Sequence, residues 1–199
     1  MKIAFDIGSH DGKNSIKLLD KGYYVYAFEP LRSSLKYFIP IEKQYENFTY
    51  LPLGVNLKSG LYTFYKNTAV GRASSLYSFN DDSALKHWPE GNIHTSIETE
   101  KIYCINLRNF CEEENISRID YFHCDAQGND FNILKSLGDK VDIIEEGIVE
   151  TSGKYNLYNS DNNIDDIILY LKKFGFKNFY KETHSDYDTE YNLYFSKLN

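Results

Sequence analysis

The sequence predicts an α/β fold: a doubly wound, mostly parallel sheet with a reversed hairpin at its end. Three observations predict it. Short apolar runs alternate with amphipathic stretches along most of the chain, the pattern of repeated βαβ units. The runs are apolar at nearly every position, as in strands covered on both faces. They also end on acidic or glycine residues, at Asp6, Glu29, Gly54, Asp125 and Glu150. In an open α/β sheet these carboxyl ends are where a ligand lies.

The 199 residues fit one domain over 1–199, with an irregular insertion at about 58–107 covering the site. The net charge is −7 and no Lys/Arg run exceeds two residues, so nucleic acid is not an expected partner. Cys104, Cys111 and Cys124 form no CxxC pair, and buried reduced thiols follow rather than zinc ligation. No signal-like segment precedes the first strand, and no apolar run approaches the ~18 residues of a membrane span. A cytoplasmic protein without membrane association is the expectation.

Residues 2–7 read as a buried strand. Asn14 to Lys21 read as a helix with Ile16, Leu18 and Leu19 on one stripe and Gly22 as its stop. Tyr24 to Phe28 form the next buried strand, ended by Glu29-Pro30, which completes a right-handed βαβ unit. Leu31 to Tyr45 read as a helix broken or kinked by Pro40. Phe48 to Val55 read as a third strand, Lys58-Ser59-Gly60 as a turn and Leu61 to Lys66 as a strand. Residues 67–100, with Gly71, a Ser pair, Trp88-Pro89 and Gly91-Asn92, show no regular period. A stretch of that length in a compact domain covers a site more often than not.

Lys101 to Leu107 read as a strand and Asn109 to Asn115 as a short helix. Ile119 to Cys124 are a strand ending at Asp125, and Asp130 to Leu137 a helix stopped by Gly138. Val141 to Val149 contain a strand that ends near Glu150. Asp161 to Phe174 are an amphipathic helix with Ile164, Ile167, Ile168 and Leu171 on one face and Gly175 as cap. Phe176 to Glu182 and Tyr191 to Lys197 read as an antiparallel hairpin joined by an acidic loop.

The loop from Asp6 to Gly12 carries the first chemical signal. Gly8 and Gly12 allow a tight turn and a close ligand, and a helix start follows. Yet Asp6 and Asp11 flank the loop, which disfavours a pyrophosphate. The dinucleotide fingerprint G-x-G-x-x-G also fails, because His10 and Lys13 stand where glycines belong. A ligand with a positive centre suits the loop, with Asp6 facing an ammonium. Glu29, at the end of the second strand, suits the two hydroxyls of a ribose. A nucleoside that carries an amino acid and a positive charge is S-adenosylmethionine.

Three motifs, Asp6-Ile-Gly-Ser-His-Asp-Gly12, Ala27-Phe-Glu-Pro30 and Ile119-Asp-Tyr-Phe-His-Cys-Asp-Ala-Gln-Gly128, together resemble methyltransferases of the FkbM type. The apolar helix through Ile133-Leu-Lys135 and the Asn192-Leu-Tyr-Phe195 strand extend the resemblance over most of the chain. It implies a Rossmann-like, seven-stranded sheet and S-adenosylmethionine as cofactor. By position it implies that Gly8, Ser9, His10, Asp11 and Gly12 hold the methionine part, with Asn14 closing the loop. Glu29 would hold the ribose, and Pro30, Leu31, Gly54 and Val55 would border the adenine. Asp125 and Ala126 would sit beside the transferred methyl. Two positions depart from the family pattern: Gln127 stands where a Glu is usual, and Asn56 replaces a small-plus-acidic pair.

Methyl transfer from a sulfonium is an in-line substitution, in which the protein positions the acceptor and excludes water. A hydroxyl acceptor, on a sugar, glycan or small metabolite, calls for a general base. Asp125 is the first candidate, with Glu150, His123 and His10 behind it. Asp125 could equally hold the methionine ammonium, and His123, inside a strand, could be a satisfied boundary residue. Asp125, Asn129 and Asp130 lack the separate-strand spacing of a metal site, so no metal is expected. Gly71 to Ser75 read either as a contact to acceptor or cofactor or as a plain turn. The competing readings are a cofactor-binding protein without catalysis and a nicotinamide-dependent oxidoreductase.

Overall fold

A computed structural model describes residues 1–87, 92–183 and 189–197. Trp88, Pro89, Gly91 and the acidic loop before the last strand lie outside the described residues.

Seven strands form the main sheet: β1 (Lys2–Ile7), β2 (Tyr23–Phe28), β3 (Phe48–Leu51), β7 (Ile119–Cys124), β8 (Ile144–Ser152), β9 (Asn178–Thr183) and β10 (Glu190–Ser196). Their order is β3-β2-β1-β7-β8-β10-β9. Pairings from β3 through β8 are parallel, and β10 runs antiparallel to both β8 and β9. The fold is therefore the expected one, and the order reverses between β1 and β7. The two strands diverge into their following helices there, which opens a crevice at their carboxyl ends.

The pleat sorts the core. Phe5 and Phe28 point to one side, into a cluster with Leu107, Phe122, Leu134, Ile167, Leu171 and Phe195. These come from the sheet, α5 (Leu107–Glu113), α6 (Asp130–Ser136) and α7 (Ile164–Lys172). Ala4, Val25 and Ala27 point to the other, against Leu18, Leu19, Phe38 and Ile41 of α1 (Lys13–Asp20) and α2 (Leu35–Gln44). Pro40 does not end α2; the carbonyl it leaves without a donor is on an exposed turn, where water can serve it.

The insertion departs from expectation. The third strand stops at Leu51, and Gly54–Val55 is a separate strand, β4, in a second sheet ordered β4-β6-β5. Here β5 is Gly60–Asn67 and β6 is Ile97–Ile105, paired antiparallel from Gly60↔Cys104 to Asn67↔Ile97. Residues 67–100 are not wholly irregular. They hold a 3₁₀ turn at Gly71–Ala73, α3 (Asp81–His87), α4 (Asn92–Thr95) and the first half of β6. β8 also runs on to Ser152, so Glu150 lies within it rather than at its end.

Candidate functional site

The crevice at the β1/β7 reversal is built from backbone outward. Gly8 N–H donates to Phe28 O at 2.9 Å, and Asp125 N–H donates to Ile7 O at 2.9 Å, so the ends of β1, β2 and β7 are tied together. Gly8 has φ 78° and sits against the next strand: a Cβ there would lie 1.8 Å from the Asp125 carbonyl oxygen. His10 adopts φ 47°, a conformation rare outside glycine. That turn aims His10 N–H at Glu29 Oε2, 3.0 Å away, while Leu31 N–H reaches Oε1 at 2.8 Å. Glu29 is only 5% exposed. Burial pushes its carboxyl up to about 7, against the two backbone donors, which favour the charged form.

Above the loop ends lies a cleft of about 550 Å³, counted to its open mouth. Its floor is Ile7, Gly8, His10, Phe28, Glu29, Pro30 and Leu31, with Asp125, Ala126, Gln127, Asn129 and Ile133 along one wall. The second sheet and its connections form the roof: Leu53, Gly54, Val55, Phe64, Gly71, Arg72, Ser74, Leu76 and Ile102. Leu31, Phe64, Leu76 and Ile102 of this lining pack together as one apolar cluster, and its polar groups include Glu29, Asp125, Gln127 and Arg72. Gly54 is required under this roof, since a Cβ would meet Cys104 Sγ at 2.7 Å. Asn129 Nδ2 donates to Val55 O at 2.9 Å and Ser75 Oγ to Gln127 O at 2.6 Å, pinning roof to wall.

Asp125 is held by a polar chain. Gln127, in the left-handed region at φ 52°, donates its amide to Asp125 Oδ1 at 2.6 Å and to Glu150 Oε2 at 2.8 Å. Tyr158 O–H donates to Gln127 Oε1 at 2.5 Å. Burial, then the nearby Asp125 charge, raises the Glu150 carboxyl well above its ordinary range. The same two causes push Asp130 up to about 7 and the partly buried Glu190 up to about 8. Asp130 accepts from Ala126 N–H at 2.9 Å and Gly128 N–H at 3.2 Å, fixing the turn after β7.

The residues expected at the site divide into two groups. Gly8, His10, Glu29, Pro30, Leu31, Gly54, Val55, Asp125 and Ala126 line the cleft. Asp6, Ser9, Asp11, Gly12, Asn14, His123 and Glu150 do not. Asp6 is fully buried, and its oxygens are engaged by Ser15 Oγ and by His123 Nδ1, the latter at 2.8 Å. It therefore faces α1 and not a ligand ammonium. Asn14 Nδ2 approaches His123 Nε2 at 3.3 Å, so Asp6, His123 and Asn14 form one chain beneath the loop. Burial lowers the His123 pKa, but the hydrogen bond and charge of Asp6 raise it further, for a net increase. The His123 ring is held between Asp6 and Asn14 and does not line the cleft.

Ser9 Oγ donates to Asp6 O at 2.6 Å, and Gly12 faces Ile41 and Phe38, so both shape the loop from inside. Asp11 pairs with Lys13 at 2.6 Å at the surface. Glu150, 2% exposed and with its carboxyl raised well above the ordinary range by burial, accepts from the Gln127 amide and does not line the cleft. Asn129, Phe64, Leu76 and Ile102 were not expected to line the cleft. Phe64 and Ile102 carry the alternation of their strands, but nothing local says which face meets a ligand. Tyr158 reaches Gln127 from a distant loop, and no local pattern announces that.

The sequence matches the Methyltransferase FkbM domain over residues 6–177. No curated protein matches it. Among solved structures it is similar to a methyltransferase FkbM from Methylobacillus flagellatus KT, with TM-score 0.61 and 14% identity, covering 98% of this chain and 43% of that one. The chain thus spans less than half the length of that relative. It is also similar to the 1,6-didemethyltoxoflavin-N1-methyltransferase of Burkholderia thailandensis, with bound 1,6-didemethyltoxoflavin and S-adenosylhomocysteine. There the TM-score is 0.51 and the identity 9%, over 98% of this chain and 69% of that one. The magnesium protoporphyrin IX methyltransferase of Synechocystis PCC 6803, with bound SAM, gives TM-score 0.51 and 10% identity over 99% and 70%. At these identities the likeness is one of fold.

Proposed function

The chain belongs to the FkbM methyltransferase domain family, and on that premise we propose that it methylates a hydroxyl of a sugar, glycan or small metabolite. S-adenosylmethionine is the cofactor that this membership carries. The observation that supports its place in the cleft is Glu29. Both of its oxygens accept from backbone N–H groups, and it lines the cleft together with that apolar cluster and Asp125. That arrangement fits a ribose in the middle, an adenine under Phe64, Leu76 and Ile102, and an amino-acid tail toward Gly8 and Asp125.

The bound cofactor supplies an electrophilic methyl on a sulfonium. Gly8 in the floor and Ala126 in the wall shape the space beside it, and the apolar residues of the roof exclude water. Asp125 is positioned to accept the proton of an acceptor hydroxyl or to hold the cofactor ammonium. Gln127 fixes the carboxylate for either task and ties it to Glu150, whose carboxyl burial raises well above its ordinary range. In this reading no metal takes part, the acceptor is a small molecule or carbohydrate and not nucleic acid, and the protein works in the cytoplasm. Three buried free cysteines suit such a reducing compartment. Among the described residues, no helix is long and apolar enough to cross a membrane.

Calorimetric titration with S-adenosylhomocysteine and with NAD tests the cofactor, and binding of the first alone is expected. Tight NAD binding without the nucleoside would overturn the reading. Incubation of the protein with methyl-labelled cofactor and a panel of sugars, glycans and small hydroxylated metabolites tests catalysis. Label should appear on an O-methyl group; cofactor binding with no transfer to any of them would favour a binding protein.

A further inference from the structure

The roof presents one cation to the cleft. Arg72 lies in the 3₁₀ turn Gly71–Ala73, and it is the only Lys or Arg among the described residues that line the cavity. The carboxylates of the lining are Glu29 and Asp125. Among the described residues the guanidinium has no hydrogen-bond or ion-pair partner, although the polar side chains beside it on the strap, Asn67, Ser74 and Ser75, are engaged. Asn67 Oδ1 accepts from Ala69 and Val70 N–H at 3.0 and 2.8 Å. Ser74 Oγ donates to Gly71 O at 2.6 Å and accepts from Asn67 N–H at 3.0 Å. Tyr158 O–H lies 3.3 Å from Ala73 O, and Ser75 pairs with Tyr65 across a bridge. A strap this heavily fixed holds Arg72 over the loop of β1, where a Cβ on Gly71 would stand 3.6 Å from His10 Nε2. Its charge is felt at Lys13, in the first turn of α1, and at Glu190.

The ligand's charges say what such a cation is for. S-adenosylmethionine carries a sulfonium, an ammonium and a single carboxylate. Glu29 and Asp125 suit the hydroxyls and the positive groups. The carboxylate, placed among them without a partner, would be repelled and poorly solvated. A guanidinium meets a carboxylate with two parallel hydrogen bonds. We propose that Arg72 is the carboxylate clamp of this cleft, binding the methionine carboxylate of the cofactor from the roof. The strap of residues 71–75 then acts as a cofactor-specificity element as well as a cover. This assignment rests on the cofactor reading above.

The test compares S-adenosylmethionine with its decarboxylated form, which keeps the sulfonium and the ammonium, by calorimetry on wild type and Arg72→Gln. Wild type should bind the carboxylated ligand about 10- to 100-fold more tightly, the range of a charge-assisted pair. In Arg72→Gln that preference should vanish, with affinity for the decarboxylated ligand and the melting temperature unchanged. Arg72→Lys should restore part of the preference. A variant that keeps the full preference would overturn the assignment and point to a carboxylate on the acceptor instead. An equal loss for both ligands would also overturn it, by showing that Arg72 only holds the strap. If wild type binds neither ligand, the cofactor reading itself fails, which is a different result from a preference that survives in the variant.

Discussion

Glu29 brings two opposed influences onto one carboxyl, burial and a pair of backbone donors, and its pKa near 7 makes them measurable. Ribose hydroxyls donate best to the ionised form, so binding should lower that pKa. Affinity for S-adenosylhomocysteine should therefore rise as pH increases toward about 7 and level off above it. Calorimetry from acid to mildly alkaline pH checks this, and a flat profile would remove Glu29 from the ribose. Glu29→Gln should weaken binding by about 1.5–3 kcal/mol, the range for hydrogen bonds to a charged group. Gln127 makes a second case. Its amide donates to Asp125 and Glu150, so Gln127→Glu would set a further acidic group against both. The variant should melt lower than wild type, and the gap should widen as pH rises and the added carboxyl ionises. Thermal melts across pH would show it; an unchanged melting temperature would mean the side chain turns away. Asp6 shows what could have been read in advance. It shares the pleat face of Ala4, which packs toward α1 and α2, so strand parity alone places it away from the ligand edge.

Elements differ in how much of their placement the chain declares locally. Strands β1, β2, β7 and β8 of the main sheet are largely apolar, and the β1–β2 and β7–β8 neighbours follow from short crossovers through one α-helix. The roof is harder to read. β4 is two residues long and finds its partner β6 far along the chain, with Gly54 opposite Cys104. The first half of β6, Ile97-Glu98-Thr99-Glu100, is too polar to announce a strand, and it forms because β5 is already there to pair with. The β1–α1 loop is the opposite extreme: Gly8 is fixed by local backbone geometry and by a contact with Asp125. Gly8→Ala should cost about 2–4 kcal/mol, since it combines an unfavourable φ with a clash against backbone. Chemical denaturation would measure it, and a loss below 1 kcal/mol, the size of an ordinary surface change, would mean the β7 turn can yield.

For the whole molecule, the carboxyl groups around the cleft make folding sensitive to acid in an unusual direction. Glu29, Asp130 and Glu190 have folded pKa values raised to about 7, 7 and 8. The folded state therefore binds more protons than the unfolded state between the ordinary carboxyl range and those values. Stability from these groups is present below their unfolded pKa and declines as pH rises through 7 to 8. The ligand-free protein should accordingly be more stable at pH 6 than at pH 8, by about a few kcal/mol at most, and melt at a higher temperature there. A melt that improves steadily with pH would contradict it. The two-sheet construction of the cleft has a consequence in time rather than in energy. Floor and roof belong to different hydrogen-bonded sheets, joined near the ligand by Asn129 to Val55 and Ser75 to Gln127. A nucleoside held between them would act as a rivet. Amide exchange in β5 and β6 should then slow on adding S-adenosylhomocysteine far more than exchange in β8, and the spent cofactor could leave only as fast as the small sheet lifts.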